Sequence, residues 1–355
     1  MEIINKSKNL IDKLYLESTL LKEELLFLLE NNTPEINQYL FIKANKKRCE
    51  VYNKNIYMRG LIEFTNYCKR NCLYCGIRSD NLNAKRYRLT VDEILCACDE
   101  GYNLGFKTFV LQGGEDSYFT DKRIINIITL IKKKYPDCAI TLSIGEKSKT
   151  SYLKYFNSGA DRYLLRQETV SKELYKKLHP NMQLKNRIKC LYDLKEIGYQ
   201  VGAGFLVGLP EQTNNDFVED IFFLKEFKPH MVGIGPFIPH SDTPLSLSVA
   251  GTSEKTIMLI ALIRLFLPKA LIPATTALGS IDPIGREKGI MAGANVVMPN
   301  LSPLEIRNKY KLYDGKICLE DEPSKCKYCI EQKIKTLGFQ VDMSRGDHID
   351  ARIIY

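Results

Sequence analysis

Apolar residues recur at helical spacing near the start of the chain: Leu10, Ile11, Leu14, Leu20, Leu21, Leu25, Leu26 and Leu29. This periodicity predicts two or three helices over residues 8–48, with Thr33-Pro34 as a cap and helix start. Beyond residue 50 the pattern changes. Short β-rich runs at 59–65, 107–112, 138–144, 162–166, 200–206, 230–236, 271–275 and 295–298 alternate with amphipathic stretches near 90–104, 121–134, 149–158, 186–197, 213–227, 254–266 and 284–291. Such alternation is expected of βα units on a parallel sheet. Eight strands over roughly 240 residues have the count and size of a (β/α)8 TIM barrel. An open doubly wound sheet is the alternative. The barrel is preferred because it needs no invented strand order and keeps every crossover short. The predicted α/β architecture has an N-terminal helical extension (1–50), a barrel (51–300) and a C-terminal cysteine-bearing extension (301–355).

A barrel of this kind gathers its chemistry at the C-terminal ends of its strands, and the polar residues obey that placement. A cysteine-rich loop follows strand one. Gln112-Gly113-Gly114-Glu115-Asp116 ends strand two, Thr141 and Ser143 end strand three, and Arg166 and Glu168 end strand four. Thr275-Thr276 ends strand seven and Met298-Pro299-Asn300 ends strand eight. All are expected to converge on one cavity.

Composition narrows the class. The 355 residues are 45% apolar, enough for a sizeable core. Eleven cysteines do not form a secreted framework, because Cys49, Cys96, Cys98, Cys138 and Cys190 are scattered singly and read as core thiols. The start lacks a signal-peptide core, and no segment approaches the ~20 apolar residues of a membrane span. A reduced cytoplasm is therefore the expected compartment, with no membrane partner. The net charge of +9 comes from lysine spread along the chain. Without a dense basic block interleaved with aromatics, it argues against nucleic acid and leaves room for an anionic substrate or partner.

The chemistry is carried by Cys68-Lys69-Arg70-Asn71-Cys72-Leu73-Tyr74-Cys75. Three thiolates spaced x3 then x2 can wrap three corners of a 4Fe–4S cube and leave its fourth iron open. Electron-carrier clusters normally have four cysteines, and an open coordination site is the mark of a catalytic centre. Zinc is the rival reading, but no histidine precedes His179 to complete such a site. A second group, Cys318 with Cys326 and Cys329, is again one thiolate short of four; a metal-free or zinc-binding clip is its alternative. His179, His230 and His348 read as core residues, while His240, after strand six, is placed to reach the cavity mouth.

The C-x3-C-x-aromatic-C pattern resembles the signature of radical S-adenosylmethionine (SAM) enzymes. With Arg59-Gly60-Leu61-Ile62-Glu63-Phe64, Val110-Leu111-Gln112-Gly113-Gly114-Glu115-Asp116, Gly159-Ala160-Asp161-Arg162-Tyr163-Leu164-Leu165-Arg166, Gly204-Phe205-Leu206-Val207-Gly208-Leu209-Pro210, Met231-Val232-Gly233-Ile234-Gly235-Pro236 and Ile272-Pro273-Ala274-Thr275-Thr276, the chain resembles the FeFe-hydrogenase maturase family HydE, relatives of biotin synthase. The resemblance implies a 4Fe–4S cluster on Cys68, Cys72 and Cys75 and SAM as cofactor. It implies SAM contacts from Tyr74, Gly113, Gly114, Glu115, Ser143, Glu168, Arg187 and Met298, and an accessory surface 2Fe–2S cluster on Cys318, Cys326 and Cys329. Where the family usually has histidine this chain has Gln167, a departure expected to alter a hydrogen-bond partner beside Glu168. The resemblance also implies an anion pocket of Arg59, Gln112, Thr141, Arg162, Met231, Thr275, Thr276 and Tyr310. Buried arginines need a carboxylate or another anion, so the residues themselves point to a small anion; the resemblance implies that it is a cysteine-bound iron complex bearing CO and cyanide. Other maturases and a reduced ferredoxin- or flavodoxin-type donor are the implied partners. A methylornithine-synthase-like mutase or a biotin-synthase-like sulfur inserter is the alternative within the class, and a non-catalytic iron–sulfur scaffold the alternative outside it.

Overall fold

A computed structural model describes residues 1–351, so the end of the predicted 301–355 extension lies outside the described residues. The first barrel strand runs Asn55–Met58 and resumes as Gly60–Thr65, with Arg59 at the break. Thr108–Gly113, Ala139–Ser143, Arg162–Leu164, Gln200–Ala203 and Met231–Val232 follow as successive parallel neighbours. The ring then closes through parallel pairs Met231 with Leu271, Pro273 with Val296, Tyr57 with Val296 and Leu61 with Asn300. The eight-stranded barrel expected from the sequence is the architecture observed.

The predicted strands are shortened where chemistry requires it. Residues 271–275 contribute only isolated bridges: Pro273 has no N–H to donate, and Ile272 N donates to the Asn295 side chain at 2.9 Å. The predicted 200–206 and 230–236 strands each split at glycine. A Cβ on Gly204 would lie 2.0 Å from Gly233 O, so the two backbones meet where no side chain fits. The upper halves, Leu206–Val207 and Gly235–Pro236, pair with each other instead.

All seven predicted barrel helices are present, from Val91–Asn103 to Gly285–Met291. Periodicity did not reveal Lys172–Leu178, Thr276–Ile281, Leu304–Arg307 or Pro323–Thr336. The first three are too short to display a period. The fourth buries only a narrow stripe of Cys326, Ile330 and Ile334 beyond its leading Pro323. Three N-terminal helices, Glu2–Glu17, Lys22–Glu30 and Pro34–Tyr52, pack against barrel helices Asn214–Phe227 and Ser253–Phe266. That cover explains why Thr256 through Phe266 is buried all round. At the opposite end of the chain, Gln340–Asp342 adds a parallel strand beside Asn55, Ile56 and Tyr57. No helix of the described residues is long and apolar enough to cross a membrane.

Candidate active site

The loop after strand one is organised by a single guanidinium. Arg86 donates to the carbonyls of Asn66, Ile77, Arg78 and Asn81 at 2.6–3.1 Å, folding the loop around the cysteines. Cys68, Cys72 and Cys75 are half-buried and line one cavity of about 360 Å³ at the barrel mouth. Gly113 and Gly114 press onto this loop from strand two. A Cβ on Gly114 would stand 2.3 Å from Tyr67 O and 2.7 Å from Cys68 Cβ, so glycine is required there. The backbone N–H groups of Arg70 and Glu115 both donate to Cys68 Sγ at 3.4 Å.

Burial raises the pKa of each of these thiols, that of Cys72 to about 12, so metal binding would be what removes their protons. Among the described residues no three His, Cys, Asp or Glu side chains converge tightly enough for one metal ion. A tetrahedral zinc holds its sulfurs at about 2.3 Å, whereas a cluster spreads its cysteines over separate irons. Three thiols facing one shared cavity fit three protein-held corners of such a cluster.

Beside them runs a strip of alternating charge. Arg70 Nε donates to Glu115 Oε2 at 2.6 Å, and Glu146 N donates to Glu115 Oε1 at 3.0 Å. Arg187 lies 2.8 Å from Glu146, which also accepts from Arg70 and Asn186. Glu168 sits at φ +69°, a strained backbone for a residue with a side chain. Its carboxylate takes Arg166 Nε at 3.2 Å, and desolvation raises its pKa. Ser143 and Met298 line the same cavity, as does Tyr74, whose hydroxyl meets His179 Nε2 at 2.9 Å. Gln167 is not beside Glu168's carboxylate. It is fully buried outside the cavity, where its Oε1 accepts from Gly204 N at 2.8 Å.

The eight residues of the expected anion pocket divide into two sets. Gln112, Thr275, Thr276 and Tyr310 line the cavity; Arg59, Thr141, Arg162 and Met231 lie outside its lining. Arg162 already has its anion: Nη2 reaches Asp347 Oδ1 at 2.5 Å and Arg345 O at 2.6 Å, Nη1 reaches Thr108, and Nε reaches Gln200. Among the described residues, Arg59 has no carboxylate within bonding reach. It donates to Gly346 O at 2.9 Å and contacts Met231 Sδ at 3.1 Å, while its Nε and the nearby-strand Thr141 hydroxyl are buried without a partner among the described residues. Burial is the main reason its basicity falls, and repulsion from Arg162 adds to it.

Sequence reasoning missed a buried ion pair in the cavity wall. Glu63 accepts from Lys316 Nζ at 2.6 Å and from Asn300 Nδ2 at 2.9 Å. The available signal was a lone carboxylate inside Gly60-Leu61-Ile62-Glu63-Phe64, a strand with every residue buried. The second cysteine group is also not confined to the surface. Cys318 and Cys326 line the cavity, Arg286 Nη2 donates to Cys318 Sγ at 3.3 Å, and only Cys329 is exposed. A hydrogen bond from the Cys326 thiol, helped by Arg286, favours the Cys318 thiolate, and that same hydrogen bond together with burial raises Cys326 against the pull of Arg286. Among the scattered cysteines Cys98, Cys138 and Cys190 are buried as expected, whereas Cys96 is exposed because it faces outward on its helix. His240 is buried against Gly76 of the cysteine loop, 3.8 Å from Asp314.

A family model described as the radical SAM superfamily matches residues 62–224. The FeFe-hydrogenase maturase subunit HydE of Thermotoga maritima is 47% identical over 317 residues, covering 89% of this chain and 90% of its own. The 3-methylornithine synthase of Methanosarcina acetivorans is 32% identical, over 80% of this chain and 81% of its own. A crystal structure of methylornithine synthase superposes with a TM-score of 0.83 at 27% identity, covering 94% of this chain and 97% of that one. Identity of 47% over nearly the whole chain, with three cysteines at the mouth of the barrel, places this chain in the radical SAM superfamily as a member of the HydE family of FeFe-hydrogenase maturases.

Proposed function

We propose that this radical SAM enzyme acts in hydrogenase maturation on a small anionic, sulfur-containing iron complex supplied by another maturase. Cys68, Cys72 and Cys75 would hold the 4Fe–4S cluster, leaving one iron for SAM. When bound, cluster and SAM would supply one-electron reductive cleavage of the sulfonium C5′–S bond, giving methionine and a 5′-deoxyadenosyl radical for use on the substrate's sulfur. The chain's own residues bind, orient and exclude water. The observation that carries this reading is the shared cavity: three thiols and the arginines Arg70, Arg166 and Arg187 face one space.

Arginine binds carboxylates through two parallel bonds, which suits Arg187 to the methionine carboxylate of SAM. Glu115 suits the amino group, with Arg70 as its present partner, and Glu168 suits the ribose hydroxyls. Ser143, Met298 and the backbone at Tyr74, Gly113 and Gly114 complete the SAM surface. The substrate's anionic groups would sit over Gln112, Thr275, Thr276 and Tyr310, with Arg59 and Thr141 beneath. Cys318, Cys326 and Cys329 are proposed to hold a 2Fe–2S cluster. The free state of all eleven cysteines suits a reducing cytoplasm, where a ferredoxin- or flavodoxin-type carrier would supply electrons.

Anaerobic reconstitution tests this reading. The reduced protein is expected to release 5′-deoxyadenosine from SAM, and Cys72→Ala to bring that release to background. Undiminished release from the variant would refute the site. A methylornithine-synthase-like mutase is the second reading, favoured by the barrel likeness; turnover of L-lysine would establish it instead.

A further inference from the structure

The short helix Lys172–Leu178 and the histidine that follows it reach the cysteine loop at the two residues between Cys72 and Cys75. Leu73 N donates to Leu178 O at 3.0 Å, and the Tyr74 hydroxyl lies 2.9 Å from His179 Nε2. The other ring nitrogen, His179 Nδ1, lies 3.0 Å from Tyr175 O. A carbonyl can only accept, so Nδ1 carries the proton and Nε2 is left to accept the phenol of Tyr74. The imidazole is stacked on Tyr175, centroids 4.1 Å apart, and meets the Tyr74 ring edge-on at 5.5 Å. Both nitrogens of a ring that is 1% exposed are thus used, whereas a core position needing only bulk would take Phe or Leu. Burial lowers its pKa to about 4, keeping the ring neutral at physiological pH. The same helix packs against Leu184–Ile197, the helix that carries Arg187.

We infer that His179 is a positioning residue: through Tyr74 it sets the segment between Cys72 and Cys75, and its helix ties that segment to the Arg187 side of the site. The inference rests on the radical SAM reading and deepens it. A neutral hydrogen bond contributes ~0.5–1.5 kcal/mol, a factor of roughly 2–10. His179→Leu and Tyr74→Phe are each expected to weaken SAM binding several-fold and to broaden the SAM-perturbed electron paramagnetic resonance signal of the reduced cluster. The double variant should be no worse than either single one, and His179→Gln, which can still accept, should recover most of the loss. In the cluster-free protein, nitrogen NMR of the four histidines should show His179 as the Nδ1–H tautomer, with its Nε2 shift moving in Tyr74→Phe. The opposite tautomer, additive single losses or a wild-type-like His179→Leu would overturn the inference. Failure of the broader reading looks different: there the wild-type cluster signal itself ignores SAM.

Discussion

The two ends of this barrel handle buried charge in opposite ways. At the floor, Arg162 is surrounded by the chain's own acceptors, and Asp347 in turn takes Arg345 Nε at 2.9 Å and Gln200 Nε2 at 2.7 Å. Arg345 continues the network to Asp161 at 2.7 Å. At the mouth, the charged groups Arg70, Glu115, Arg166, Glu168 and Arg187 are also paired, but around an open volume large enough for a ligand. A closed ionic network holds structure in place; one built around a cavity can exchange partners. Arg59 belongs to neither pattern, since it lies among floor residues yet has no carboxylate partner among the described residues.

The sharpest test of this contrast is Asp347→Ala. It leaves Arg162 buried and uncompensated, which should cost ~3–5 kcal/mol of stability, read as a lower urea midpoint. A midpoint within error of wild type would erase the distinction between the ends. Glu115→Gln should do the reverse. Losing a charge-assisted hydrogen-bond partner of ~1.5–3 kcal/mol should weaken SAM binding roughly 10–100-fold, measured by calorimetry on the reconstituted protein, with little change in midpoint.

Acid should also separate the ends. Asp347 is held well below the usual carboxylate range, mainly by Arg162 and Arg345 acting against its burial. Its stabilisation is present above the unfolded pKa of about 3.9 and is lost as pH falls through the folded value. Glu168 is raised, chiefly by desolvation, so its contribution is full below the unfolded pKa of about 4.3 and is lost as pH rises. Asp347→Asn should therefore flatten the acid limb of a stability profile, whereas Glu168→Gln should raise stability near neutrality. Profiles that move in the same direction would contradict the contrast. The smallest expected effect is at Thr108, whose hydroxyl donates to Arg345 O at 2.8 Å and accepts from Arg162. Thr108→Val should cost ~1 kcal/mol and leave SAM cleavage unchanged.

Legibility in the sequence followed the same division. The cysteine loop was readable because its three ligands are neighbours in the chain, and the glycine pair because its turn follows a strand. The floor was not. Arg162 and Asp347 are 185 residues apart, and no local period announces that they meet. Glu63 and Lys316 are 253 residues apart, so the carboxylate was visible but its lysine was not. Arg59 and Arg162 look equivalent as sequence, two arginines aimed into an apolar barrel; only the position of residues 345–347 separates them. Gln167 illustrates a different limit: side-by-side positions such as 167 and 168 can face opposite sides of the wall. The helix over 172–178 escaped because seven residues are two turns, too few to carry a periodic signal.

The strand Gln340–Asp342 and the turn beyond it have a consequence for how this protein comes into being. Gly346 meets Arg59 across 287 positions, so an early-synthesised part of the barrel waits for residues made much later. Contacts this distant in sequence are slow to form, and until residues 345–347 arrive Arg59 and Arg162 lack acceptors that they have in the folded protein. A ribosome that stalls, or a protease that trims, shortly before residue 340 therefore removes the strand beside Asn55, Ile56 and Tyr57 and the acceptors under Arg59 and Arg162 together.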